Sequence, residues 1–333
     1  KLLNNCSIHF DFSKDRKPQN LKTFLGSVEE DEQLLDQLCA EGLPYRYEEV
    51  NDSIKNRLNK ELELIKKMGF VSYFLINWEI VSEARRRGFF YVGRGSGANS
   101  IVAYLLRITD VDPMELDLYF ERFINLYRAN PPDFDIDFSW KDRPAMTKYI
   151  FERFEHVALL GTYVTFKERG VIRELGKVFG LPPQDIDFLL AGRYRLEQLD
   201  HVSKLVLKYG SLLKGKPNYL SIHAGGILIS DKPLHWFSAT HLPPKGFPPT
   251  QYDMVIAEDV GLYKFDILGQ RGLGKIKEAL EIVAYNQPEK YADIDIHDIK
   301  GFKKDPVINN LIKTAQCMGC FYVESPAMRM LLK

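Results

Sequence analysis

The stretch Pro132-Asp-Phe-Asp-Ile-Asp-Phe138 alternates acidic and apolar side chains along its whole length. Because successive side chains of a β-strand point to opposite faces, this period of two predicts a strand with three acids on one face. The apolar face requires a core to pack on. The acidic face places like charges about 7 Å apart along the strand. Such a row is unfavourable unless water or a cation neutralises it.

The acidic row has two interpretations, and the pattern alone leaves both open. Neighbouring carboxylates can bridge two divalent ions about 3.5–4 Å apart, the arrangement used for phosphoryl transfer. Mg²⁺ prefers carboxylates, water and substrate phosphates as ligands. Alternatively, the row is the solvated face of an edge strand. Asp-x-Asp pairs also occur at Asp110/Asp112, Asp185/Asp187 and Asp293/Asp295. Only the 133–137 row combines three acids, strand alternation and flanking aromatic residues.

A glycine-rich loop, Gly93-Arg-Gly-Ser-Gly-Ala-Asn-Ser100, lies between a predicted strand over 89–92 and a predicted helix that continues to Leu106. A strand, a glycine turn and a helix in this order can point backbone N–H groups at a phosphate. The spacing matches neither a Walker A loop nor a dinucleotide-binding fingerprint. A plain glycine turn is an equally good interpretation of the loop alone.

The remaining pattern predicts an α+β fold in which a helical insert interrupts a mixed sheet. Helices are predicted over 54–68, 72–87, 112–125, 144–156 and nearly all of 167–220, and strands over 157–165, 222–229 and 261–268. In the first helix, apolar residues recur with helical spacing at Ile54, Leu58, Leu62 and Ile65.

The composition is that of an ordinary globular protein. Lys+Arg and Asp+Glu both number 45, so the net charge is zero and any nucleic-acid contact must come from local patches. The four cysteines give no disulfide framework, and no apolar run reaches transmembrane length. We therefore expect a cytoplasmic protein without membrane contact. The start at Lys1 and the end at Lys333 are interpreted as cuts in a longer protein.

Several motifs resemble those of bacterial C-family DNA polymerases, the family of the DNA polymerase III alpha subunit, in the same order. They are Tyr91–Tyr104, Asp110–Pro113, Phe120–Phe123, Pro132–Phe138, Val171–Arg173, His223–Gly226, Lys264–Gly269 and Glu324–Ser325. The resemblance runs from about Tyr45 to Lys333.

The resemblance implies a template-directed DNA polymerase core, with a palm that is similar to the polymerase-beta nucleotidyltransferase fold. It implies that Asp135, Asp137 and Asp266 are the catalytic, metal-binding residues for two Mg²⁺ ions. It implies that the triphosphate is held by Gly95, Ser96, Gly97, Arg128 and Lys264. Asp266 is a lone acid in an apolar strand, and only the resemblance selects it.

The resemblance also implies a domain order. Residues 1–44 would include the segment that follows an upstream domain of the polymerase-and-histidinol-phosphatase type, and that domain itself would lie outside this chain. Residues 45–166 and 223–268 would form the palm, 167–222 the thumb and 269–333 the start of truncated fingers. The implied partners are primer–template DNA and a dNTP, with a sliding clamp and other replisome subunits binding through regions outside this chain.

Departures from the family pattern, such as Asn99 in place of a usual glycine and Tyr322 in place of a usual glutamine, favour a secondary, error-prone or uncharacterised branch of the family. Because the fingers only begin here, we expect the isolated chain to be folded but inactive as a polymerase. Two alternatives stay open. One is a non-catalytic DNA-binding fragment, and the other is a different nucleotidyltransferase with the polymerase-beta type of palm.

Overall fold

The computed structural model describes residues 18–120, 124, 131–292, 294–296, 298–320 and 323–333. These residues form an α+β fold in which helices flank a five-stranded mixed sheet. The predicted fold class is confirmed at this level. Among the described residues, none of the helices combines the length and the apolar character that crossing a membrane requires.

The acidic stretch forms an inner strand of the sheet. The strands are β1 (Tyr91–Arg94), β2 (Asp135–Ser139), β3 (Val157–Thr165), β4 (Pro217–Ile229) and β5 (Phe265–Gln270). Their order across the sheet is β1-β2-β5-β4-β3. Strand β2 pairs antiparallel with β1 and parallel with β5, and β5 pairs antiparallel with β4. The edge-strand interpretation of the acidic row is therefore wrong, because β2 has a partner on each side.

Helices account for most of the other described residues. They are α1 (Val28–Arg46), α2 (Asp52–Lys67), α3 (Val71–Arg86), α4 (Ile101–Leu105), α5 (Arg143–Arg153), α6 (Glu168–Val178), α7 (Pro183–Ala191), α8 (His201–Leu213), α9 (Met254–Asp259), α10 (Arg271–Asn286), α11 (Pro288–Ala292), α12 (Ile299–Lys304), α13 (Pro306–Lys313) and α14 (Pro326–Leu331).

The chain divides into two compact units. The first contains the described residues of Lys1–Ala158, Ala224–Phe237 and Glu258–Lys333, and the second contains Leu159–His223 and Ser238–Ala257. In the second unit, α6, α7 and α8 surround a small apolar core at Leu189, Leu199 and Val206. The candidate site residues that the structure describes all lie in the first unit. The division into palm, thumb and fingers remains a prediction.

The apolar side of the acidic strand packs on aromatic residues of α3. The ring of Tyr73 stacks on Phe134 and on Phe265, with centroid distances of 5.8 and 4.7 Å. The ring of Phe74 meets Phe134 edge-on at 5.2 Å. Phe74, Phe134 and Phe265 are almost fully buried. Burial of these rings stabilises the packing of the sheet on α3. The acidic side chains, which alternate with the rings along the strand, therefore lie on the opposite face of the sheet.

Two predicted helical segments are wrong in extent. Residues 113–117 form turns, not a helix, because the Asp112 carboxylate accepts hydrogen bonds from the Met114 N–H and the Tyr47 hydroxyl. The helical insert ends with α8 at Leu213, and Gly215 then turns the chain with a φ of +80° into β4. The predicted strand over 89–92 is β1, shifted to Tyr91–Arg94.

The glycine-rich loop lies tightly against the start of the acidic strand. Gly95 has a φ of +91°, and a Cβ there would lie 2.9 Å from the Asp133 carbonyl oxygen. A Cβ on Gly97 would lie 2.1 Å from the Phe134 ring. Packing against β2 is thus sufficient reason for glycine at both positions, whatever ligand the loop binds.

Replacing Gly97 by alanine is expected to destabilise the first unit by about 1–3 kcal/mol, because the new methyl group overlaps a buried aromatic ring. Gly170→Ala is the matched control, since Gly170 lies in α6 and, apart from the adjoining backbone of that helix, no described atom lies within 4 Å of the place that an alanine methyl group would take. That variant is expected to gain up to about 1 kcal/mol from helix propensity. Urea unfolding of both variants measures the difference, and equal stability of Gly97→Ala and wild type would contradict the packing.

Candidate active site

The register of the sheet places Arg94, Asp135 and Asp266 side by side on three neighbouring strands. Arg94 pairs with Asp135 across β1 and β2, and Asp135 pairs with Asp266 across β2 and β5. Directly paired residues on adjacent strands point to the same face, and such strands lie about 4.8 Å apart. The next partner in the row is Gly226 on β4, which has no side chain. The sheet therefore brings two acids together that are distant in sequence.

Exposure falls steeply along the acidic strand. The side chain of Asp133 is 58% exposed, that of Asp135 is 21% exposed and that of Asp137 is fully buried. Asp133 lies just before β2 and faces water. A buried ionised carboxylate requires a countercharge and hydrogen bonds, so Asp135 and Asp137 need partners that Asp133 does not.

The guanidinium of Arg94 joins the two carboxylates of β2, the partly buried Asp135 and the fully buried Asp137. Its Nη1 donates to Asp135 Oδ2 at 2.6 Å, and its Nε donates to Asp137 Oδ2 at 2.7 Å. A third hydrogen bond runs from Nη2 to Asp137 Oδ1 at 3.3 Å. Gln270, at the end of β5, also donates to Asp137 Oδ1 at 3.3 Å. Arg94 thus supplies one positive charge to two acids.

Lys264 supplies the positive charge on the other side of the row. Its ammonium forms an ion pair with Asp266 and lies 4.0 Å from Asp133 Oδ1. Burial lowers the pKa of Lys264, but the hydrogen bond and charge of Asp266 outweigh it and hold that pKa above its ordinary value. The lysine is therefore a permanent cation at this site.

Asp135 lies at the electrostatic centre of the group. Burial raises the pKa of Asp135 above its ordinary value, and the negative charges of Asp266 and Asp133 raise it further. The positive charges of Arg94 and Lys264 lower it, without cancelling the rise. Ionised Asp135 is thus held in a site that opposes its charge, as is common for functional carboxylates.

The glycine turn lies beside these acids. The Gly97 N–H donates to the Asp133 carbonyl at 3.1 Å, and the position of a Cβ on Gly95 is 3.6 Å from Asp135 Cγ. The hydroxyl of Ser96 is buried and has no hydrogen-bond partner among the described residues. A buried hydroxyl without a partner is uncommon, and a ligand oxygen would satisfy it. Arg128 lies outside the described residues.

The helix after the glycine loop does not present its first turn to a ligand. Ser100 Oγ accepts the Ala103 N–H at 3.1 Å and donates to the carboxylate of Glu61 at 2.8 Å. Glu61 is fully buried in α2 and lies 2.5 Å from Arg57 Nε. Its carboxylate also accepts the Val102 N–H at 3.5 Å. An internal carboxylate therefore occupies the positive end of α4, and a phosphate would have to bind the turn at Ser96 instead.

Comparison with known proteins agrees with the family that the motifs resemble. Residues 33–269 match the bacterial DNA polymerase III alpha NTPase domain. The chain belongs to the DNA polymerase III alpha family. This confirms the resemblance found in the sequence.

Relatives of two kinds are similar to this family member. An error-prone DNA polymerase of Symbiobacterium thermophilum is 34% identical over 325 residues, covering 89% of this chain and 28% of the relative. The DNA polymerase III subunit alpha of Halalkalibacterium halodurans is 34% identical, covering 100% of this chain and 31% of the relative. The chain thus spans less than a third of the length of these relatives. Because both kinds match at the same identity, the error-prone branch remains a prediction.

Membership of the polymerase III alpha family implies metal-dependent catalysis, and the acidic row has suitable donors. In the described ranges, no three His, Cys, Asp or Glu side chains already form a metal-binding group. The cations of Arg94 and Lys264 are bound to the oxygens of Asp135, Asp137 and Asp266. The donor set consists only of carboxylates, which is the chemistry that Mg²⁺ prefers. The residues therefore fit the metal once these cations are exchanged.

Two residues that support this candidate site were missed by sequence reasoning. Arg94 was identified only as part of the glycine-rich loop, and Glu61 was not identified. A signal for Glu61 existed, because it follows Leu58 by three residues and precedes Ile65 by four, which places it on the buried face of α2. Leu62, predicted on that face, is only partly buried. An acid at a core position of a helix indicates a buried partner.

Ser100→Ala is expected to destabilise the first unit by about 1–3 kcal/mol, because α4 loses its cap and buried Glu61 loses a donor. Ser27→Ala is the matched control. Ser27 is also an N-cap serine and accepts the Glu30 N–H at 3.2 Å, but this hydrogen bond is exposed. That control should lose about 1 kcal/mol or less. Equal losses in the two variants, measured by urea unfolding, would show that Glu61 does not depend on Ser100.

Asp135→Asn is expected to raise the unfolding temperature at neutral pH in metal-free buffer. Since the pKa of Asp135 is raised in the folded chain, the wild type loses stability as pH rises from the ordinary value of 3.8 through the folded pKa. The advantage of the variant should therefore shrink as the pH falls toward 3.8. Thermal unfolding in EDTA at several pH values measures it.

Asp200→Asn provides a control of opposite sign. Hydrogen bonds from Ser203 lower the pKa of Asp200, so its ionised form stabilises the start of α8. This variant should be less stable than wild type at neutral pH, and the deficit should vanish in acid. A pH-independent advantage of Asp135→Asn would show that neither burial of the ionised carboxylate nor repulsion from neighbouring acids is its cause.

Proposed function

We propose that this chain carries the catalytic acids of a template-directed DNA polymerase, and that Asp135, Asp137 and Asp266 are those acids. The observation that supports the proposal is the pairing of β2 with β5, which sets Asp135 beside Asp266 in a member of the polymerase III alpha family. The reaction is the attack of a primer 3′-hydroxyl on the α-phosphate of a dNTP, with release of pyrophosphate.

The three carboxylates are the proposed ligands of two Mg²⁺ ions. When bound, the ions lower the pKa of the 3′-hydroxyl and neutralise negative charge on the phosphates. Asp135 is partly exposed and can reach both an ion and solvent, whereas buried Asp137 is fixed by Gln270 and by the strand. Asp266 is held by Lys264 and would be the ligand that β5 contributes to a bound ion.

The triphosphate is assigned to the surface between the glycine turn and Lys264. The buried hydroxyl of Ser96 would donate to a phosphate oxygen, with the backbone from Gly95 to Gly97 beside it. Lys264 would neutralise phosphate charge from the side of Asp266. Arg128 is the further predicted phosphate ligand. Ser96 and Lys264 lie on the two sides of the acidic row, as positioning for an in-line displacement requires.

The finer structural predictions go with this proposal. Residues 45–166 and 223–268 are the palm of the polymerase-beta type, 167–222 are the thumb and 269–333 begin the fingers. The partners are primer–template DNA and a dNTP. A sliding clamp and other replisome subunits are expected to bind elsewhere on the polymerase.

Primer extension by a polymerase that contains this sequence tests the assignment. Asp266→Asn is expected to reduce kcat by at least about 10²–10³, because a lost metal ligand removes charge stabilisation from the transition state. Asp142→Asn is the matched control, since Asp142 is likewise a buried acid paired with a lysine, 2.7 Å from Lys277. Full activity of Asp266→Asn, or equal losses in both variants, would overturn the assignment.

A further inference from the structure

Arg94 occupies the carboxylate oxygens that a metal ion would need. It takes both oxygens of Asp137 and one oxygen of Asp135. Two of these three bonds are shorter than 2.8 Å, as charge-assisted hydrogen bonds are. A divalent ion bound to the same oxygens would lie next to the guanidinium, and the two positive charges would repel each other. Full metal coordination by these acids and this position of Arg94 therefore exclude each other.

The pairing of β1 with β2 places Arg94 beside Asp135, so the contact does not require an unusual conformation of the chain. Arg94 is the last residue of β1 and pairs directly with Asp135, so both side chains emerge on the same face. The Arg94 side chain is nevertheless 41% exposed, whereas that of Asp137 is fully buried. The guanidinium thus covers a buried carboxylate from the solvent side. It can leave for water without moving the strand.

We propose that Arg94 is the resident countercation of the acid pair, which Mg²⁺ must displace, and that it lowers the affinity of the site for free metal. The proposal rests on the proposed function, because it requires that Asp135 and Asp137 bind metal. Arg94 is then a positioning residue. It holds the two carboxylates together when no metal is bound and prevents their repulsion from opening the strand.

Once Arg94 has left the acids, its guanidinium can bind the triphosphate. A guanidinium binds phosphate oxygens through two parallel hydrogen bonds, and the glycine turn next to Arg94 is the assigned phosphate surface. Metal alone must displace Arg94 into water. Metal together with a triphosphate offers it a new anionic partner. Arg94 thus favours loading of the metal with its nucleotide over loading of the metal alone.

The test measures Mn²⁺ binding to this chain by electron paramagnetic resonance, without nucleotide. Arg94→Gln removes the competing charge and is expected to bind Mn²⁺ about 5- to 150-fold more tightly than wild type, the usual range of coupling between two ligands. Arg94→Lys keeps one charge without the forked geometry, so a smaller gain in the same direction is expected. In EDTA, Arg94→Gln should unfold at a lower temperature than wild type, and addition of Mn²⁺ should raise the unfolding temperature of the variant again.

Arg87→Gln is the matched control. Arg87 is 36% exposed and pairs with Glu83 at 2.6 Å on α3, so its loss removes a similar ion pair outside the acidic row. Its Mn²⁺ affinity should equal that of wild type. If Arg94→Gln does not fold in EDTA, Arg94→Lys carries the comparison of affinities.

The outcomes separate this proposal from the proposed function. Mn²⁺ binding that is lost in Asp137→Asn but unchanged or weaker in Arg94→Gln and Arg94→Lys overturns the role of Arg94 and leaves the metal site intact. Binding that persists in Asp137→Asn, or is absent from wild type and both Arg94 variants, overturns the metal site and the role of Arg94 with it.

Discussion

The parallel pairing of β2 with β5 is the constraint on which the candidate site depends. Strands paired in parallel need a long crossover, so the partner of an acid in β2 comes from a distant part of the chain. Asp135 and Asp266 become neighbours only through this pairing. A slip of one residue would turn Asp266 to the opposite face and place an apolar side chain beside Asp135. The aromatic contacts of Phe134 and Phe265 with α3 fix the register from that opposite face.

The acids of the site repel one another, and positively charged neighbours offset this repulsion. Three acids share one face, and burial raises the pKa of the most central one, Asp135. Arg94 and Lys264 offset the repulsion from the two sides of the row. A second buried acid, Glu61, supports the glycine-rich loop, because it holds the start of α4 through Ser100. The acids proposed to bind metal and the acid that supports the loop thus have separate countercharges.

The sequence predicted the local parts of this arrangement better than the long-range parts. Strict alternation over 132–138 placed Asp135 and Asp137 on one face, because that inference needs only the geometry of a single strand. Asp266 could not be found in this way, since its role arises from pairing with a distant strand, and only the family resemblance selected it. The helix predicted from Asp112 failed because a local side-chain hydrogen bond formed a turn instead. The role of Arg94 could not be found from the sequence either, since its ion pairs depend on a strand register that no local pattern records.

Asp135, Asp137 and Asp266 are proposed to form one metal-binding face from which Arg94 must withdraw. The most direct measurement is anomalous diffraction from crystals of this chain soaked in Mn²⁺. Manganese peaks are expected between the carboxylates of Asp135 and Asp266, with the guanidinium of Arg94 moved away from both acids of β2. Crystals saturated with Mn²⁺ in which Arg94 still bridges Asp135 and Asp137, and in which the metal lies elsewhere, would contradict this proposal.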